Sequence, residues 1–222
     1  MKNLIIVGAR GLARETIGQI EFMEGYKTEF EVKGFLDDDA HILDDYPGYP
    51  PILSSVEDYE IQPDDVFFIA LGDSKMRLLY AEKIKQKGGS FISLISKRAH
   101  LQSNIRHFGV GCLVDPFCCI SSDTYIGDFV IILASAMIGH NATVEEGSTL
   151  DAQSFLGGGA HIKKGAYIGT GSKIMPRITI GEFAYVNACS LVAKDVPDAT
   201  TVMGIPAQPN RKWLRMVLDN TK

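Results

Sequence analysis

The stretch Ile126-Gly127-Asp128-Phe129-Val130-Ile131-Ile132-Leu133-Ala134-Ser135-Ala136-Met137-Ile138-Gly139-His140-Asn141-Ala142-Thr143-Val144 carries a branched aliphatic residue at every sixth position. Extended both ways, the count runs Phe108, Val114, Ile120, Ile126, Ile132, Ile138, Val144, Leu150, Leu156, Ile162, Ile168, Ile174, Ile180, Val186 and Val192, fifteen positions all large and apolar. Four residues after most of them the chain is small, as at Cys112, Cys118, Thr124, Ala136, Ala142, Ser148, Ser154, Ala160 and Ala166; Val130, Ile178 and Val196 are larger. A chain that is 45% hydrophobic does not produce such a run by chance. Neither the helical period nor the strand alternation explains a repeat of six, but a three-sided parallel β-helix does. Each hexad makes one flat side, its apolar residue pointing inward and its small residue sitting where the chain turns. Gly127, Gly139, Gly169 and Gly181 each follow an inward residue, which predicts corners with permissive backbone at those positions. With about five coils, the prism has no room for an internal site, so ligands must lie on outer faces or between neighbouring chains.

The residues before this repeat obey another rule. Leu4 to Val7, Val32 to Leu36 and Val66 to Leu71 are short, continuously apolar runs that read as buried strands. Leu12 to Met23 and Met76 to Lys87 read as helices between them, and Phe91 to Ile95 as a further strand. This alternation predicts a small Rossmann-like parallel α/β sheet over residues 1–96, followed by the β-helix over 97–222. The exit Val196-Pro197 and Gly204-Ile205-Pro206-Ala207 ends the repeat, and Arg211 to Leu218 is expected to form a short helix.

Composition narrows the function. The chain has 222 residues and a formal net charge of -5, with no basic block, which argues against nucleic acid as a partner. The apolar start Leu4-Ile5-Ile6-Val7 ends in Gly8 and reads as a strand, not a signal peptide, and no stretch is long enough to span a membrane. Cys112, Cys118, Cys119 and Cys189 lack metal-type spacing, so a reduced cytoplasm is the expected setting.

The turn Gly8-Ala9-Arg10-Gly11 lies between a strand and a helix, where exposed backbone amides stabilise phosphate. Ala13 occupies the place of a third glycine, so the dinucleotide fingerprint is incomplete and NAD chemistry is disfavoured. The carboxylates of Asp37 and Asp38, at a strand end, suit ribose hydroxyls or a base N–H.

The series Ile6-Val7-Gly8-Ala9-Arg10-Gly11, Gly34-Phe35-Leu36-Asp37-Asp38 and Ala70-Leu71-Gly72-Asp73 with Arg77, followed by hexads, resembles the bacterial sugar O-/N-acyltransferases. That group includes acetyltransferases acting on nucleotide-linked amino sugars and sialic acid O-acetyltransferase-like proteins. The resemblance spans nearly the whole chain and implies a left-handed β-helix, a homotrimer, acetyl-CoA as co-substrate, and a role in surface-polysaccharide synthesis. It also implies that Gly8, Ala9, Arg10, Gly11, Asp37, Asp38, Gly72 and Asp73 hold the nucleotide sugar. Acetyl-CoA would run between neighbouring β-helices, past Gly158, Gly169, Gly181 and the exit Met203-Gly204-Ile205-Pro206, with Lys194, Arg211 and Lys212 as candidates for its phosphates.

Acetyl transfer to an amine needs a base near neutrality, for which histidine is suited. His140 stands two residues after inward Ile138, so its ring should face outward, and the resemblance places the catalytic histidine there. Asn141 follows where relatives carry a carboxylate, so Glu145, Glu146 or Asp123 is a candidate to orient the ring. Thr149 stands where some relatives have a second histidine. His161, after Gly157-Gly158-Gly159, is the second choice, against the plainer reading of a solvated side chain.

Other readings stay open. O-acetylation of a sugar hydroxyl is the runner-up, since a hydroxyl leans harder on a strong base. A non-catalytic trimer that binds a sugar nucleotide is a third. A zinc hydro-lyase of this fold needs three converging histidines, and His140 and His161 are not in one column, so no metal is expected.

Overall fold

A computed structural model describes residues 1–209; the expected helix over Arg211 to Leu218 lies outside the described residues. The first sheet has the order β3-β2-β1-β4-β5, all parallel. Its strands are β1 (Lys2–Val7), β2 (Phe30–Leu36), β3 (Ile52–Ser54), β4 (Asp65–Ile69) and β5 (Ser90–Phe91). Leu4, Ile5 and Ile6 at the centre are wholly buried, as strands covered on both faces must be. β3 lies in a segment for which the sequence pattern announced no strand.

Helix α1 (Gly11–Gly18) is shorter than its apolar pattern suggested, because the chain tightens at Gly18-Gln19 into a 3-10 turn over Ile20–Phe22. Helix α2 (Ser74–Gln86) is capped by Asp73, whose Oδ1 accepts from the Met76 amide at 2.9 Å.

The strand expected over Phe91 to Ile95 serves two sheets. Phe91 closes the first sheet, while β6 (Leu94–Ile95) pairs with Leu113–Val114 and starts the β-helix. Ser93, between them, donates to the Gly109 carbonyl and accepts the Cys112 amide, each at 3.1 Å.

From there two-residue strands stack in three sheets of six, five and eight strands, the last closed by the antiparallel pair Thr201–Met203 and Gln208–Pro209. This is the expected left-handed parallel β-helix. Every inward residue of the series from Val114 to Val192 is buried. Four of the small residues also bond to the next coil. The Cys112 and Cys118 thiols donate to Gly127 and Leu133 carbonyls at 3.2 Å, and the Ser148 and Ser172 hydroxyls to Lys163 and Asn187 carbonyls at 2.9 and 2.8 Å. Burial pushes both thiols up to about 12, so these cysteines stay protonated and structural.

The glycines after the inward residues have a different cause from the one expected. Positive φ occurs three residues after each inward position, at Phe117, Asp123, Phe129, Ser135, Asn141, Gly147 and onward to Cys189, where the chain turns between sides. Gly127, Gly139, Gly169 and Gly181 are not among the positive-φ residues. A Cβ on them would sit 2.7, 2.7, 2.7 and 2.3 Å from a backbone nitrogen of the next coil. Coil-to-coil approach, not dihedral freedom, selects glycine there.

Candidate active site

At the carboxyl ends of β1, β2 and β4 lies a cavity of about 590 Å³, in the crevice where an open parallel sheet places its ligands. Gly8, Arg10, Asp37, Asp38, Gly72 and Asp73 all line it, so the structure brings together six of the eight residues expected to hold a nucleotide sugar. Gly8 takes φ +87°, which disfavours a side chain there, and a Cβ would crowd Leu71 Cδ2 at 2.8 Å. Ala9 is buried behind the cavity and its amide donates to Asp37 Oδ2 at 2.9 Å. Gly11 is exposed at the start of α1 and does not line the cavity.

The two carboxylates differ in availability. Asp37 also accepts the Asp39 amide on Oδ1 at 3.1 Å, so both its oxygens fix the turn. Asp38 is exposed, accepts the Tyr80 hydroxyl on Oδ2 at 3.2 Å, and has a second oxygen with accepting capacity. Asp73 divides itself between α2 capping and the cavity wall.

His140 occupies an exposed corner two residues past inward Ile138. Its Nδ1 lies 2.8 Å from Asn141 Oδ1. With the amide oxygen as acceptor, Nδ1 holds the proton and Nε2 carries the lone pair, the tautomer a general base requires. The ring rests over Gly158, where a Cβ would be 2.7 Å from Nε2, so this glycine makes room for the imidazole. Gly159 ties the next coil to the same spot by donating to the His140 carbonyl at 2.8 Å.

None of the carboxylates suggested as its orienter reaches His140. Glu145 pairs with His161, Oε1 to Nε2 at 2.6 Å, and takes the Lys164 amide on Oε2 at 3.0 Å. Glu146 pairs with Lys164, and Asp123 receives Asn104 at 3.5 Å. His161 is therefore hydrogen-bonded to a carboxylate and not a free side chain. The Thr149 hydroxyl accepts from Arg77 at 2.8 Å, which assigns it to the domain junction.

A second cavity, of about 420 Å³, shares Gly72 and Asp73 with the first and opens onto Tyr167, Tyr185 and Ala184 of the β-helix. The two tyrosine rings stack with centroids 4.5 Å apart. Asp151 accepts the Tyr167 and Thr170 hydroxyls at 2.6 and 2.7 Å. Burial raises the Tyr167 phenol well above its ordinary range. Sequence reasoning missed this platform, although the one-coil spacing of Tyr167 and Tyr185 was a usable signal. The exit residues Met203 and Ile205 are exposed, and Gly204 turns at φ +100°. Lys194 is exposed as well, whereas Arg211 and Lys212 lie outside the described residues. Among the described residues no group of His, Cys, Asp or Glu is arranged to hold a metal. No described helix is long and apolar enough to cross a membrane.

A small parallel α/β sheet joined to a hexad β-helix is the architecture of hexapeptide-repeat acyltransferases. Residues 3–84 match the family model for the PglD N-terminal domain. A mutant of perosamine N-acetyltransferase from Caulobacter crescentus, solved with CoA and GDP-perosamine, is 25% identical, with a TM-score of 0.84 over 95% of this chain and 97% of that one. WeeI from Acinetobacter baumannii AYE is 26% identical, with a TM-score of 0.81 over 95% of this chain and 100% of that one. The serine acetyltransferase of Bacillus subtilis is 38% identical over 128 residues, 56% of each chain. The curated relatives are thus matched over little more than half their length. Residues 3–84 thus match the PglD N-terminal domain, and nearly the whole chain is similar to a hexapeptide-repeat perosamine N-acetyltransferase.

Proposed function

We propose that the protein transfers an acetyl group from acetyl-CoA to the amino group of a nucleotide-linked amino sugar, with His140 as general base at a site between subunits. The observation that carries this reading is the pairing of a cavity shaped for a nucleotide with an imidazole whose Nε2 carries the lone pair. The likeness over nearly the whole chain to an acetyltransferase solved with CoA and GDP-perosamine supports both substrates.

Asp38 and the Gly8–Arg10 turn hold the nucleotide, and the sugar extends past Gly72 and Asp73. The amine nitrogen attacks the thioester carbonyl while Nε2 of His140 takes its proton. Collapse of the tetrahedral intermediate expels the CoA thiolate, which recovers that proton from the imidazolium. Asn141 holds the ring in register but brings no charge, which suits an amine, a better nucleophile than a hydroxyl. His140 lines neither of the two cavities described above, and in this reading a second copy of the chain brings the substrate to it.

The test mixes wild type and His140→Ala with acetyl-CoA and a panel of UDP-, dTDP- and GDP-linked amino sugars, together with L-serine and sialic acid, and follows thiol release. Release with one amino sugar, reduced roughly 10²- to 10⁴-fold in the variant, supports the reading. Release with serine or sialic acid alone replaces the amine acceptor by a hydroxyl. Equal release from both proteins moves the base away from His140.

A further inference from the structure

Arg77 is wholly buried, although arginine is rarely so unless paired. None of its hydrogen-bond acceptors among the described residues is a carboxylate. Its Nη1 donates to the carbonyls of Leu71 and Gly72 at 2.6 and 3.3 Å. The rest of the guanidinium faces the β-helix: Nε donates to Phe129 O at 3.0 Å, and Nη2 to Gly147 O, Ser148 O and Thr149 Oγ1 at 2.6, 3.3 and 2.8 Å. One rigid plane therefore spaces the loop after β4 against two successive coils. Burial lowers the guanidinium to about 10, which leaves it charged at neutral pH.

The loop it holds is the wall of the cavity. Gly72 lines both cavities, and Leu71 Cδ2 sits 2.8 Å from where a Cβ of Gly8 would be. Hydrogen bonds thus run from coil to guanidinium to Leu71 and Gly72, which line the same cavity as Gly8. We propose that Arg77 is a positioning residue for substrate binding: it sets the distance between the nucleotide cavity and the β-helix by clamping the Leu71–Gly72 wall onto the coils at Phe129 and Gly147–Thr149. Only the nature of the ligand rests on the proposed function. The clamp itself is read from the hydrogen bonds.

Lysine places all its donors on one nitrogen and cannot reach both sets of acceptors. The test compares wild type, Arg77→Lys and Thr149→Val by amide hydrogen exchange, and by calorimetric binding of UDP, GDP, dTDP and acetyl-CoA. In Arg77→Lys, exchange over residues 71–76 and the dissociation constant of the bound nucleotide should each rise roughly tenfold, as losing a charged hydrogen bond implies. Acetyl-CoA affinity and protection of the coils at Ile132, Leu150 and Ile168 should stay at wild-type values. Thr149→Val, which removes one acceptor and is the variant to read if Arg77→Lys fails to fold, should move the same segment by roughly threefold. Exchange over residues 71–76 equal to wild type in a folded variant overturns the proposal. So does a rise spread evenly over the coils, which makes Arg77 an ordinary stability residue. If wild type binds no nucleotide, the substrate reading fails while the exchange pattern still decides the clamp.

Discussion

His140 and Asn141 act as one unit, because the amide oxygen fixes which imidazole nitrogen is free. Asn141→Asp puts a carboxylate against Nδ1 at a left-handed position that Asp tolerates. The carboxylate stabilises the imidazolium, so the acid limb of the kcat/KM profile should move to higher pH than in wild type. An unmoved limb would mean that another group titrates in the rate. Asp115 offers a separate pH test, of stability. Burial raises its carboxyl to about 6, against the bond from Gln19 at 2.6 Å. An acid whose folded pKa is raised stabilises fully below its unfolded value near 4 and loses that benefit as pH climbs through about 6. Wild type should therefore lose up to about 3 kcal/mol relative to Asp115→Asn between pH 4 and 7, measured by urea unfolding. At this scale the sequence revealed His140 by its offset from Ile138. It hid the Glu145–His161 pair and the burial of Arg77, because both depend on which coil or helix faces which, and no local pattern encodes that.

Along one coil, the repeat of six was fully readable, since an inward residue has nowhere else to go. The cause of its glycines was not, because the approach of the next coil is a contact made about eighteen residues on. Gly157 and Gly171 separate the two causes. A Cβ on Gly157 would lie 2.5 Å from the Pro176 nitrogen, whereas Gly171 has φ +68° and its nearest neighbour is the Cys189 sulfur at 3.5 Å. Gly157→Ala must push a coil aside and should cost about 1–3 kcal/mol. Gly171→Ala meets only the left-handed backbone cost, about 1 kcal/mol. Guanidinium unfolding checks the order, and equal losses would mean that the coils yield to a methyl group. The segment Phe91 to Ile95 shows the same limit: its pattern announced a strand, but the division of that strand between two sheets is decided by tertiary pairing.

The three faces of the prism differ at the scale of the molecule. On one, Leu113 and Ile131 are buried against the core of the first domain. On another, the outward column runs His107, Tyr125, Thr143, His161 and Thr179, which is largely polar. On the third, Cys119, Met137, Phe155, Lys173 and Leu191 stack in register, with Met137 48%, Phe155 38% and nearby Met175 45% exposed. Large side chains left in water along one line make this the face to test for association with another copy. Met137 precedes His140 by three residues on the same coil, so a copy of this chain docked there closes over the edge where the imidazole stands. If the proposed site lies between subunits, this face is what builds it. Met137→Lys with Phe155→Lys sets like charges beside Lys173, so self-association should weaken by sedimentation. Acetyl transfer should fall with it, while nucleotide affinity stays, because the cavity of about 590 Å³ is built wholly within one chain. A double variant that sediments and turns over as wild type would place the contact on a different face. One that loses assembly yet keeps full activity would make each chain sufficient alone, and His140 would then need its substrate from its own cavity.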